Sequence, residues 1–286
     1  MTVDELRAVM GPSGTWDNDL CYWPEEGWLM EVTPEQQEIR DYLSLIANNK
    51  LKSDKLGSDE ALAYLQEQFD MVLSVYRNYY EGNFQGFPCE GLDFRGKELA
   101  DVDLSKCTGI TGEQIMSASS IQGVVLPAIA FTGDESFEDR YLYAADFSKC
   151  TGITPEQILS AGDLTSAKLP AITFTGNESF AGKDLCATDL SRCTGITGEQ
   201  IISAGNFSYT KLPAITFTGN ESFDGKDLMC TDLSKCTGIT SAQIRSATNI
   251  SNMCMTTAQY NEWKSTLQSR FNGKYVYVDG VRTKIQ

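Results

Sequence analysis

The sequence predicts a mainly β chain. A square-sectioned solenoid occupies residues 87–255, a small, mainly helical α(+β) domain precedes it (1–86), and a helix with a β-hairpin closes it (256–286). Three observations predict this. DLSKCTGIT at Asp103 returns as DFSKCTGIT at Asp146, DLSRCTGIT at Asp189 and DLSKCTGIT at Asp232, always 43 residues on. Within one period the apolar residues Leu159, Leu164, Leu169, Phe174, Phe180, Leu185, Leu190 and Ile196 advance by five or six residues. Outside the repeats that rhythm gives way to helical spacing on one side and to a helix and hairpin pattern on the other.

A five-residue step fits neither the 3.6-residue period of a helix nor the two-residue period of a strand. It suits a coil in which each side takes one pentapeptide and points its central apolar side chain inward. Four sides make about 20 residues per turn, so a 43-residue repeat is two turns with three residues to spare. Single repeats cannot bury their own apolar residues, whereas stacked neighbours bury a continuous column. The spare residues fall at the six-residue steps. Thr154-Pro155-Glu156-Gln157 carries an N-cap threonine, proline at the first helical position and glutamine at N3, which predicts one helical turn at a corner. GNES, at 176–179 and 219–222, predicts a polar turn at another.

The repeats resemble the pentapeptide-repeat family, whose pattern is a small residue, Asp or Asn, Leu or Phe, then two variable residues. LDF (92–94), VDL (102–104), ADF (145–147), GDL (162–164), TDL (188–190), GNF (205–207) and TDL (231–233) carry the resemblance, and KDL (183–185 and 226–228) departs from it by placing lysine at the small position. The likeness covers residues 88–255. It implies a right-handed quadrilateral β-helix. Members of that family mimic duplex DNA and occupy type II topoisomerases such as gyrase, some pair through their C-terminal ends, and similar coils occur in bacterial effectors.

The ends read differently. Ser58 is expected to cap a helix with Leu62, Leu65, Phe69, Val72, Tyr76 and Tyr79 along one stripe. Earlier helices are expected from Thr2 to about Gly11 and from Thr33 to about Asn49, with a strand pair over 21–32. This domain is either a cap for the repeats or a recognition module, and Trp16, Trp23 and Trp28 are its densest aromatic cluster. After Met255, Tyr260, Trp263, Leu267 and Phe271 lie at helical spacing. They serve either a lid or a homodimer contact. KYVYVDGVRTKI (274–285) reads as a hairpin around an Asp279-Gly280 type I′ turn.

Composition narrows the chemistry. The chain has 286 residues, 23 Lys+Arg, 39 Asp+Glu and no histidine, for a formal charge of −16. Residues 1–90 carry a net −11, residues 91–231 a net −9 and residues 232–286 a net +4. Direct nucleic-acid binding is not expected of so acidic a chain. Without histidine the commonest general base and the usual catalytic zinc sets are missing. No apolar stretch is long enough for a membrane span, and the start lacks a secretory leader pattern. A cytosolic setting follows, bacterial or, for an exported or phage protein, that of a host cell. Cys107, Cys150, Cys193 and Cys236 recur every 43 residues, two turns apart, too far for a shared metal or a disulfide. No enzyme activity, catalytic residue, metal or cofactor is expected.

Surface recognition remains. Two glutamate ladders stand out, Glu113, Glu156, Glu199 and Glu135, Glu178, Glu221. The first repeat is the most acidic, through Asp134, Glu135, Glu138 and Asp139. One reading is an acidic, non-enzymatic interaction protein that inhibits or protects a nucleic-acid-binding enzyme by DNA mimicry, through these carboxylates. The other is an effector or scaffold whose N-terminal domain binds a protein partner while the repeats act as a rigid spacer.

Overall fold

In a computed structural model, the residues described are 57–76, 84 and 86–286. The expected helices and strand pair of residues 1–56, with Trp16, Trp23 and Trp28, lie outside them. The elements in chain order are helix α1 (Ser58–Tyr76), four one-turn helices α2 (Gly112–Ser117), α3 (Pro155–Ser160), α4 (Gly198–Ser203) and α5 (Ser241–Ser246), strand β1 (Cys254–Met255), helix α6 (Thr257–Phe271) and strands β2 (Tyr275–Val278) and β3 (Val281–Lys284).

The mainly β, right-handed quadrilateral β-helix expected from the sequence is not what these residues form. Regular strand is confined to one three-stranded sheet, ordered β1-β2-β3, and no long run of strands follows the repeats. Between residues 88 and 254 the chain meets itself only at isolated parallel bridges, 20–22 residues apart, such as Asp146↔Lys168, Lys168↔Asp189 and Thr173↔Thr194. The reason lies in the backbone donors. On either side of each bridge they close tight turns three residues back, as in Cys150 N–H to Phe147 O (2.8 Å) and Lys183 N–H to Phe180 O (2.9 Å). A strand that must turn again within five residues has room for one bridge and no ladder.

Each layer bends through a left-handed residue at the same place. Asp101, Gly123, Ala144, Ser166, Ala187, Tyr209, Cys230 and Asn252 all have positive φ, between 55° and 64°. A second left-handed column is all glycine, Gly109, Gly152, Gly195 and Gly238, and there space as well as φ demands it. A Cβ on Gly195 would lie 1.9 Å from the carbonyl oxygen of Phe174.

The five-residue spacing still places the core. Leu164, Leu169, Phe174, Phe180, Leu185 and Leu190 are all buried, and one continuous apolar cluster runs from Phe69 to Ile285. The one-turn helices form as their capping boxes dictate. Thr154 Oγ1 accepts from Gln157 N–H (3.2 Å) while Gln157 Oε1 accepts from Thr154 N–H (2.8 Å), and Thr111, Thr197, Thr240 and Thr256 repeat the arrangement. So short a helix gains little from its own hydrogen bonds. Ile115, Ile158, Ile201 and Ile244, all buried, tie it to the core.

Helix α1 closes the first layers. Phe69 stacks on Phe94 with ring centroids 4.8 Å apart and meets Phe84 at 5.2 Å. Its rim is fixed by Lys97 to Asp70 (2.6 Å) and by Asp93 N–H donating to Gln66 Oε1 (2.7 Å). At the other end β1 pairs in parallel with β2, and β2 pairs antiparallel with β3. Asp279 (φ 46°) and Gly280 (φ 79°) are both left-handed, the geometry the two-residue hairpin turn requires. Trp263, Leu267 and Phe271 are buried beneath α6, and Trp263 Nε1–H donates to Ile239 O (3.2 Å). These three side chains are taken up inside the chain, and Tyr260 is half-buried beside them. Among the described residues no helix is long and apolar enough to cross a membrane.

Candidate functional site

The residues that singled out the first repeat come together. Asp134, Glu135, Glu138 and Asp139 line one groove of about 990 Å³ between α2 and the turn over 131–140, joined by Glu113 and Met116 of α2 and by Arg140. Glu113, Asp134, Glu138 and Asp139 are exposed.

Not every carboxylate there is available. Glu135 bends back to its own turn, accepting from the N–H groups of Thr132 (3.0 Å) and Gly133 (3.1 Å). Partial burial pushes its carboxyl up, but those amides outweigh it and the net shift is downward. Glu178 and Glu221 do the same one and two repeats on. For Glu178 burial is outweighed by Thr175, Gly176 and Gln200, and the carboxyl falls to about 2. This glutamate ladder therefore shapes the GNES-type turns, and Glu178 and Glu221 belong to the next two repeats and do not line the groove.

Arg140 is also committed. Its Nη1 donates to Ala118 O (2.6 Å) and its Nη2 to Met116 O, so it closes the C-terminal end of α2 at the groove floor. Lys183 and Lys226 stand in its place in the next repeats and donate to Ala161 O and Ala204 O, each at 2.7 Å. That role explains why lysine interrupts the KDL triplets.

Comparing the repeats with one another isolates what is special about the groove. Where the first has Asp134, Glu138, Asp139, Tyr141 and Tyr143, the second has Asn177, Ala181, Gly182, Asp184 and Cys186, and the third Asn220, Asp224, Gly225, Asp227 and Met229. Gly182 and Gly225 are left-handed, at φ 77° and 74°. Asp139 holds the same conformation at φ 58°, at a cost of about 1–2 kcal/mol for a residue with a Cβ. Tyr141 and Tyr143 are 61% and 48% exposed, among the most exposed large hydrophobic side chains of the described residues. Sequence reading missed these tyrosines, although their departure from the 43-residue pattern was legible.

The other charged columns are partly neutralised. Lys168 pairs with Asp146 (2.9 Å) and Lys211 with Asp189 (3.3 Å) across adjacent layers, and Val125 stands at the corresponding place in the first repeat. Asp146 and Asp189, pushed up by burial, are drawn down further by the Ser148 and Ser191 turns and by these lysines.

The cysteine column faces inward. The thiols of Cys150, Cys193 and Cys236 donate to the carbonyls of Pro127, Pro170 and Pro213. Burial pushes them up to about 11, 11 and 12. Cys107 is pushed up by its hydrogen bond with Cys89 and by burial. No cluster of three or more potential metal ligands occurs among the described residues. No family model matches the chain, and no curated protein matches it.

Proposed function

We propose that this chain is a non-enzymatic, acidic interaction protein that uses the groove of its first repeat to engage a cationic surface on a protein partner, and that the partner is an enzyme that otherwise binds nucleic acid. The observation that carries the reading is internal to the chain. Three repeats share one backbone, and the first places exposed Asp134, Glu138 and Asp139 around a groove, with exposed Tyr141 and Tyr143 following Asp139 closely in the sequence. Carboxylates attract Lys and Arg over a distance, and exposed tyrosine faces hold guanidinium groups at contact. A nucleic-acid enzyme offers such a surface because it must neutralise phosphates.

The sibling repeats supply the test. Asp134→Asn, Glu138→Ala and Asp139→Gly convert the groove to the second repeat's residues on a backbone that already carries them. At low salt the wild-type chain is expected to inhibit, or to be captured by, at least one member of a panel of topoisomerases and nucleases. The triple variant is expected to act at least tenfold more weakly, and wild-type inhibition to fade as salt rises. Absence of any wild-type effect across the panel at low salt, or equal potency of the variant, overturns the reading.

A further inference from the structure

The C-terminal lid has the opposite charge to the rest of the chain. Lys264, Arg270, Lys274, Arg282 and Lys284 are all exposed. None of them belongs to the ion pairs of the described residues, which join Arg95 to Asp93, Lys97 to Asp70, Lys168 to Asp146 and Lys211 to Asp189. Arg282 instead lies over the Tyr275 ring, 4.1 Å from its centroid. Strand β3 is the free edge of its sheet. Val276↔Thr283 and Val278↔Val281 are the bonded pairs, because Ile285 N–H donates to Lys274 O and the pairs alternate. The amides and carbonyls of Arg282 and Lys284 therefore point away from β2, with no strand beside them among the described residues. Val281, at the turn, is 65% exposed.

We infer that this lid docks into the first-repeat groove of a second copy of the chain, giving a head-to-tail association. Charge complementarity selects that occupant. In that association Lys264, Lys274, Arg282 and Lys284 face Glu113, Asp134, Glu138 and Asp139. Within one copy the two surfaces cannot meet. The groove's layer and β1 are six bridges apart, about 29 Å at the spacing of paired strands. That is also several screening lengths at physiological ionic strength, so the overall −16 does not cancel the local attraction. Joining two different surfaces generates open chains unless the rotation happens to close a ring. Lid-to-lid pairing would set Arg282 and Lys284 against themselves and is disfavoured. The inference rests on the groove reading for its acceptor and adds that the groove is covered by a second copy until a partner displaces it.

Sedimentation velocity on the full chain tests it. At physiological ionic strength the mean mass is expected to exceed that of the monomer and to rise with protein concentration, and higher salt is expected to return it to the monomer. Arg282→Glu with Lys284→Glu is expected to weaken association at least tenfold, as is Asp134→Lys with Glu138→Lys. An equimolar mixture of the two variants is expected to associate again, because each then meets an opposite charge. A monomer at every salt and protein concentration overturns the inference, and so does association that the lid variant abolishes and the groove variant leaves intact, which would indicate lid-to-lid pairing. If the chain is monomeric while the groove variant loses enzyme inhibition, self-association fails and the groove's role in partner binding stands. If the chain associates as described and inhibits nothing, the reverse holds.

Discussion

The Nζ of Lys183 donates to the carbonyl oxygen of Ala161 at 2.7 Å, one layer back in the stack. The acceptor is the C-cap of α3, where a cation satisfies a carbonyl left over by the helix and meets the negative end of its dipole. Lys183→Ala should therefore destabilise the fold by about 1 kcal/mol, and Lys183→Arg should restore it, since Arg140 performs the same task in the first repeat. Chemical denaturation of the three proteins measures both.

The two left-handed columns should respond in opposite directions. Gly195→Ala drives a Cβ into the Phe174 carbonyl oxygen and is expected to cost more than about 2 kcal/mol. Ala187→Gly relieves a left-handed residue that already carries a Cβ, at φ 58°, and should leave stability unchanged or raise it by up to about 1 kcal/mol. A melting temperature lowered in both variants would contradict the assignment.

Acid should weaken the GNES-type turns. The Glu178 carboxyl stands at about 2 in the folded chain against an ordinary 4.5. A depressed carboxyl contributes stability above its unfolded value, and the contribution is lost as pH falls from about 4.5 through about 2. Glu178→Gln should thus lower the melting temperature at pH 7, and its difference from the wild type should shrink as pH approaches 2. A difference that does not vary with pH would contradict the carboxylate's role.

The column cysteines should be inert in the native state. With Cys150 and Cys193 near 11 and Cys236 near 12, and with their sulfurs buried, iodoacetamide at pH 8 should label them only after unfolding. Mass spectrometry of native and denatured samples reads this directly. Native labelling of Cys193 at the denatured rate would overturn it.

The lid should hold the last layers. Trp263 is 1% exposed and its indole N–H closes on Ile239 O. Trp263→Ala is expected to destabilise the chain by about 3–5 kcal/mol, visible in urea unfolding.

Much of this architecture is legible in the residues. The 43-residue recurrence gave the repeated layers, and the five-residue spacing named the buried side chains from Leu164 to Ile196, because inward-pointing positions must be apolar whatever backbone carries them; at the one-turn helix it named Leu159, which is only half-buried, where Ile158 fills the core. Capping-box threonines located the one-turn helices, and Asp279-Gly280 located the hairpin, because those local motifs close their own hydrogen bonds. The expected strands failed for the same local reason. The turns between bridges take the backbone donors that a ladder would need, and apolar spacing does not report where donors go.

The sequence by itself determined which side chains are inside, where the chain bends and where its charge lies. Only the tertiary structure decided which charges are free to act. Glu135, Glu178 and Glu221 look like the most regular acidic ladder, yet each folds onto its own turn. Asp146 and Asp189 meet lysines 22 residues ahead. Asp134, Glu138 and Asp139 stay exposed around one groove. Linear spacing records charge type and order, whereas a carboxylate's availability depends on the amides and cations that stacking brings within about 3 Å of it.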